Sequence, residues 1–337
     1  MTHFFPDRAA LMLVALAAAV ISSTLIVLLR PLLQRYALAR PNARSSHAVP
    51  TPQGAGIAII AATLAAAEVA ASMMGLRIPA TLFAATVFIG LVGLADDIRP
   101  IPVLPRLLLQ AAAVGAVVLT APPDMRILAE LPPFVERGLL LLALVWFVNL
   151  VNFMDGLDLM TVAEVVPIAG ALVLLGWLGE FPPLPTVIAA ALGGALLGFA
   201  PFNRPVAKVF LGDVGSLPIG LLLGFCLLHL AWQHQLIAAL LLPLYYLADA
   251  TLTLFSRFIK GEPFWAAHRS HFYQRATNNG FTVPQVVGEV FVLNLALAAL
   301  AILSIDVSTM AGRAVLLAIG VVLVALLLYR FSGKRRR

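Results

Sequence analysis

A single cysteine, Cys226, stands in 337 residues, so no disulfide can staple this chain to itself. Charge is scarce too: 11% of the residues are charged and 61% hydrophobic, where a soluble domain has about 25% charged. A mean hydropathy of +1.00 excludes the soluble globular and disordered classes. Acidic residues are the rarer sign, 16 against 22 basic, for a net charge of +6. Nothing in the chain resembles a groove-reading module, so the basic excess describes a surface drawn to anionic headgroups rather than to nucleic acid. What is abundant is apolar sequence in runs of about 20 residues, the length that crosses a bilayer. The composition therefore predicts an all-α polytopic membrane protein.

Eleven candidate spans run over residues 9–29, 54–74, 78–94, 106–121, 138–154, 161–178, 184–200, 214–232, 235–256, 285–305 and 312–331. The first is too long for a signal-peptide core and is followed by Arg30 and Arg35, which reads as a retained anchor. With the N-terminus outside, only Arg8, Arg77, Arg126, Arg137 and Arg313 fall on the outer side, and the other 17 of the 22 Lys and Arg lie inside. An odd number of spans then puts the basic C-terminus in the cytoplasm, as the positive-inside rule requires. No internal repeat or linker divides the chain, so residues 1–337 read as one integral-membrane domain.

The inner connections are chemically dense, and the outer ones are short or proline-rich, as at Pro122-Pro123 and Pro182-Pro183. Asp96, Asp97, Asp155, Asp158 and Asp213 all fall at inner ends of spans. Neighbouring carboxylates at a low-dielectric boundary repel unless a cation lies between them, which points to a divalent metal site of the Mg²⁺ type, with Mn²⁺ as the alternative ion. Continued helix through 158 would align Asn149, Asn152, Asp155 and Asp158 on one face, as a site or as interhelical glue. In Gly212-Asp213-Val214-Gly215-Ser216, glycines at a helix start would let backbone N–H groups approach a phosphate, with Arg204 and Lys208 just before and Asp213 as metal ligand. His268, Arg269, His271 and Arg275 supply donors suited to a diphosphate. His268 and His271 lack the further ligands a zinc site needs.

Together these motifs resemble the polyprenyl-phosphate N-acetylhexosamine-1-phosphate transferase family. The resemblance runs from Arg44-Ser45-Ser46-His47 and Pro50-Thr51-Pro52-Gln53-Gly54-Ala55-Gly56 through Ala95-Asp96-Asp97 to His268–Arg275, and its His-Arg-Ser-His loop is similar to the branch that initiates O-antigen and related surface glycans. It implies a magnesium-dependent transfer of a sugar 1-phosphate from a UDP-N-acetylhexosamine to undecaprenyl phosphate at the cytoplasmic face of a bacterial inner membrane, in a chain that could pair as a homodimer. By the same resemblance Asp213 is the magnesium ligand, Asp96 and Asp97 the catalytic acidic pair, Asn152 a polar residue near metal and diphosphate, and His268, Arg269 and His271 the nucleotide-diphosphate loop; the residue pattern adds Asp155 and Asp158 as catalytic candidates and Asn149 and Lys208 as substrate-binding ones. Two positions depart from the pattern: Pro100 stands where a third aspartate is common, and Leu159 where the Asp-Gly-x-Asp-Gly motif ends in glycine. Rival readings are the pentapeptide-carrying peptidoglycan-precursor transferase, a secondary transporter, and a lipid-diphosphate phosphatase or flippase. A transporter would place its ionisable residues near the midplane, whereas here they gather at one face.

Overall fold

The computed structural model describes residues 8–39, 50–262 and 268–334. Arg44-Ser45-Ser46-His47, Ala267 and the terminal Arg335, Arg336 and Arg337 lie outside these residues. Apolar runs with no water to satisfy their backbone must close their hydrogen bonds locally, and the described chain is accordingly helical. In order, the elements are α1 (Arg8–Tyr36), β1 (Leu38–Ala39), β2 (Thr51–Pro52), α2 (Gly56–Met73), α3 (Ala80–Ile98), α4 (Val103–Leu119), α5 (Pro133–Met154), α6 (Met160–Leu178), α7 (Pro183–Phe199), α8 (Asp213–Trp232), α9 (Leu236–Leu241), α10 (Leu244–Ile259), α11 (Phe272–Asn278), α12 (Val283–Asp306) and α13 (Met310–Ser332). The two short strands pair antiparallel, Leu38 opposite Pro52.

Nine of these helices are long and apolar enough to cross a membrane, and α4 is a shorter apolar helix. The expected span 235–256 is broken in two. Pro243 lacks a backbone N–H and its ring obstructs the preceding turn, so α9 stops at Leu241 and α10 restarts at Leu244.

Helix α8 is the axis of the bundle: 89% of its apolar window is buried, against 22% for α1 and 28% for α13. It packs on α2, α3, α5, α7 and α9. Between lipid-facing helices, small residues drive close approach. Gly194 and Gly198 of α7 meet α1 so tightly that a Cβ at either would lie 2.1 or 2.2 Å from the Ala15 or Ala19 carbonyl oxygen. Because spans alternate in direction, the ends of α3, α5 and α10 and the starts of α4, α6, α8 and α12 share one end of the bundle. The opposite end holds an isolated ion pair, Arg126 with the buried Glu136.

Candidate active site

The acidic side is assembled on the start of α8. Asp97, in the last turn of α3, accepts the Asp213 N–H on Oδ1 at 2.9 Å and the Val214 N–H on Oδ2 at 3.0 Å. A carboxylate at a helix N-terminus satisfies the orphan amides and complements the macrodipole. Gln53 adds a third donor to Asp97. Gln53 is delivered by a strand-like crossing in which the Phe210 N–H donates to Pro52 O and the Gly54 and Ala55 N–H groups donate to Phe210 O. The Pro50–Gly56, Ala95–Asp97 and Phe210–Ser216 motifs thus meet at one point.

Asp213 projects from that start. Asn152, in the last turn of α5, donates Nδ2 to Asp213 Oδ1 at 2.8 Å and to Ser216 Oγ at 2.9 Å. The Asp96 and Asp213 carboxyls flank one guanidinium. Arg106, from the first turn of α4, donates to Asp96 Oδ2 at 2.7 Å and stands 3.8 Å from Asp213 Oδ2. Two neighbouring carboxyls need a proton or a cation between them. That pairing fits Mg²⁺, which takes one or two carboxylates and leaves the remaining positions to water and substrate phosphates. Among the described residues no set of three or more His, Cys, Asp or Glu is arranged to enclose a metal, so an all-protein cage is not the chemistry on offer.

The polar stripe expected through residue 158 does not form. Helix α5 ends at Met154, and Asp155 is its C-cap, because Asp-Gly is a poor helix continuation and a natural stop. The four residues therefore point to four elements. Asn149 is buried and donates to Gln110 Oε1 of α4 at 2.6 Å, so it is interhelical glue. Asn152 joins Asp213. Asp155 accepts from the Thr161 hydroxyl. Asp158 accepts the Ala207 N–H at 3.2 Å, pinning the loop on which Lys208 is exposed. Burial, and after it the charges of Asp97 and Asp158, push the Asp155 carboxyl up to about 7. Leu159 has φ 65°, the left-handed conformation that glycine favours, held by its N–H donating to Asn203 Oδ1 at 2.7 Å.

The phosphate-cradle reading of Gly212–Ser216 is also overturned. The first two amides of α8 are taken by Asp97, and the Gly215 and Ser216 N–H groups donate to Gly212 O. Gly215 serves packing instead, with its α-carbon against Gly56 of α2.

A cationic side is built in the same way on α11. Asp249, fully buried in α10, accepts the Phe272 N–H on Oδ1 at 2.9 Å and the Tyr273 N–H on Oδ2 at 3.0 Å. Tyr245 and Thr253 donate hydroxyls to it. His271 is buried, its Nδ1 3.3 Å from Asp249 Oδ1. His268 packs beside it, ring centres 4.9 Å apart. Burial, then the charges of His271 and Arg257, lower the His268 pKa to about 4, so at neutral pH it is a neutral hydrogen-bonding imidazole. Arg269 donates to Thr277 Oγ1 at 3.3 Å, and Arg275 turns outward over the Phe272 ring.

Tyr273 joins the two sides. Fully buried, it donates its hydroxyl to Phe153 O at 3.0 Å, two residues before Asp155. A Cβ at Gly156 would come 2.2 Å from that hydroxyl oxygen, so only glycine there admits the contact.

Residues 79–231, which hold all five aspartates, match the family described as glycosyl transferase family 4. The chain is similar to the decaprenyl-phosphate N-acetylglucosaminephosphotransferases of Mycobacterium leprae, 33% identical over 63% of this chain and 59% of that protein, and of Mycobacterium tuberculosis, 33% identical over 63% and 58%. A phospho-N-acetylmuramoyl-pentapeptide-transferase of Gluconobacter oxydans is 36% identical over 34% of this chain and 38% of its own length. The chain thus spans somewhat under two thirds of the first relatives it matches.

Sequence reasoning passed over Gln53, Arg106, Asp249 and Tyr273 as site residues. Gln53 and Tyr273 stood inside quoted motifs. Arg106 counted only among the 17 inner-side cations, and Asp249 stands in no motif.

Proposed function

We propose that this chain transfers an N-acetylhexosamine 1-phosphate from a UDP-sugar to a polyprenyl phosphate and releases UMP, as a multi-pass protein of a bacterial inner membrane whose site faces the cytoplasm. The observation that carries the reading is that the Asp96 and Asp213 carboxyls gather on Arg106 at the start of α8, while Tyr273 of the segment after His268–Arg269 bonds Phe153 O at the end of α5, which also carries Asn152, the partner of Asp213. The acceptor phosphate oxygen attacks the sugar-bearing β-phosphorus, the bond to the UMP oxygen breaks, and a lipid diphosphate-sugar remains.

Both reactants are anions, so alignment and neutralisation carry the barrier. Mg²⁺ held by Asp213, with Asp96 beside it, would supply charge neutralisation to the diphosphate. Arg106 fixes Asp96, Asn152 fixes Asp213, and Asp97 fixes the helix that presents it. Arg269 grips the donor diphosphate, with His268 as a neutral hydrogen-bonding partner. A phosphomonoester has its second pKa near ~6, so the nucleophile is already ionised at neutral pH and no aspartate is required as its base.

UDP-N-acetylglucosamine is favoured as donor over the pentapeptide-bearing sugar, because the N-acetylglucosaminephosphotransferases match about twice as much of this chain. The glycan started is a surface polysaccharide of the O-antigen type, with undecaprenyl phosphate as acceptor. The test is UMP release by purified protein with undecaprenyl or decaprenyl phosphate and a panel of UDP-sugars. No UMP release with any UDP-sugar of the panel, or release undiminished by chelating divalent cations, overturns the proposal. Sidedness is tested by cysteines at Ser270 and Asp124 in a Cys226→Ala background, which should label from opposite sides of sealed vesicles.

A further inference from the structure

Beyond that reaction site, a cavity of about 240 Å³ lies between the C-terminal half of α10 and α11. Its polar wall is Arg257, Lys260, Arg275, Glu262, Ser256 and Ser270. Glu262 is 2.6 Å from Arg257, so the wall keeps a surplus of two positive charges among hydroxyl donors, which is a phosphate's chemistry. The space equals roughly eight waters at ~30 Å³ each, and it is smaller than the ~300 to 1,000 Å³ that enclose a drug-sized ligand. Its size suits a headgroup.

The rest of the wall is Thr253, whose hydroxyl is turned to Asp249, and the apolar Leu252 and Phe272, and the apolar part continues onto the exposed side chains Phe255, Phe258 and Ile259 of α10. A ligand with its phosphate in this cavity would therefore lay a hydrocarbon chain on α10 at the end of the bundle where basic residues concentrate. We propose that the cavity binds the phosphate headgroup of an anionic bilayer lipid whose acyl chains lie along α10. Arg275, which the sequence grouped with the diphosphate donors, belongs to this site.

The test is native mass spectrometry of the full chain titrated with phosphatidylglycerol and with phosphatidylcholine. The wild type should retain phosphatidylglycerol preferentially. The Lys260→Ala, Arg275→Ala double variant should bind it about 30-fold more weakly, at ~1 kcal/mol for each basic residue, with phosphatidylcholine binding unchanged. Both side chains are exposed, and the Lys260→Arg, Arg275→Lys swap should restore retention. Glycerol phosphate should not compete.

Unchanged phosphatidylglycerol binding in the double variant overturns the site. Competition by glycerol phosphate assigns it to a soluble anion, and one-for-one displacement by polyprenyl phosphate assigns it to the acceptor; either overturns the proposal. The readout is lipid retention, so it stands or falls separately from transferase activity.

Discussion

Two helix starts in this protein are built with the same device and put to opposite uses. Asp97 and Asp249 each reach from a neighbouring helix and accept two successive backbone amides, at 2.9 and 3.0 Å in both cases. Around Asp97 the neighbours are acids, Asp96, Asp155 and Asp213. Around Asp249 they are two hydroxyls and an imidazole, with arginines just beyond. The first helix is a 20-residue span at the core of the bundle, the second a seven-residue segment at its rim. A buried carboxylate can thus anchor either polarity. What differs is how much of the fold depends on it.

The largest effect tests the acidic half alone. Asp213→Asn should lower turnover by orders of magnitude at saturating Mg²⁺, with thermal unfolding close to wild type, because the lost group faces substrate rather than the core. Steady-state rates beside a melting curve decide this.

The cationic half gives the next effect. Arg269→Ala removes charge-assisted bonds each valued at roughly 1.5 to 3 kcal/mol, so the apparent KM for the UDP-sugar should rise about 10- to 150-fold. That for the lipid should not move. Lysine should rescue in part, since it lacks the planar fork.

Removing the caps sharpens the contrast. Asp97→Ala frees two amides at the start of the central span and should cost roughly 3 to 5 kcal/mol of stability, seen as a large drop in melting temperature. Asp249→Ala strands two amides and two hydroxyls as well, but on a seven-residue segment, so it should lose less melting temperature than Asp97→Ala and in addition raise the donor KM. Equal loss of melting temperature in both variants would break the distinction.

The smallest effect is a pH dependence. The fold holds Asp155 protonated up to about 7, while the unfolded chain ionises it near ~4. Between those values the folded state binds the extra proton, so this group's contribution to stability falls as pH rises from about 4 to about 7 and is constant above. Asp155→Asn should remove that slope from melting temperature against pH.

The spans were legible because hydropathy is local: every apolar run became helix, and the one revision, at Pro243, follows from a residue whose effect is known in advance. The five aspartates were legible as a one-sided set by topology alone. Their individual tasks were not. Asp97 bonds residues 116 positions away and Gln53 reaches Asp97 across 44, and no periodicity records such pairings. The glycine motif was misread for that reason, since its amides looked available until an aspartate from another helix filled them. The Asn149–Asp158 stripe failed for a local reason that Asp155-Gly156 did announce.

The Tyr273 hydroxyl on Phe153 O joins the segment that would grasp the donor to the turn that presents Asp155. A tether of this kind makes the two ends thermodynamically reciprocal. By whatever factor a nucleotide on the α11 side tightens cation binding at the carboxylates, the cation must tighten the nucleotide by that same factor. Loosening the tether, as Tyr273→Phe would, erodes both factors together, so order of addition becomes a property of one hydroxyl group.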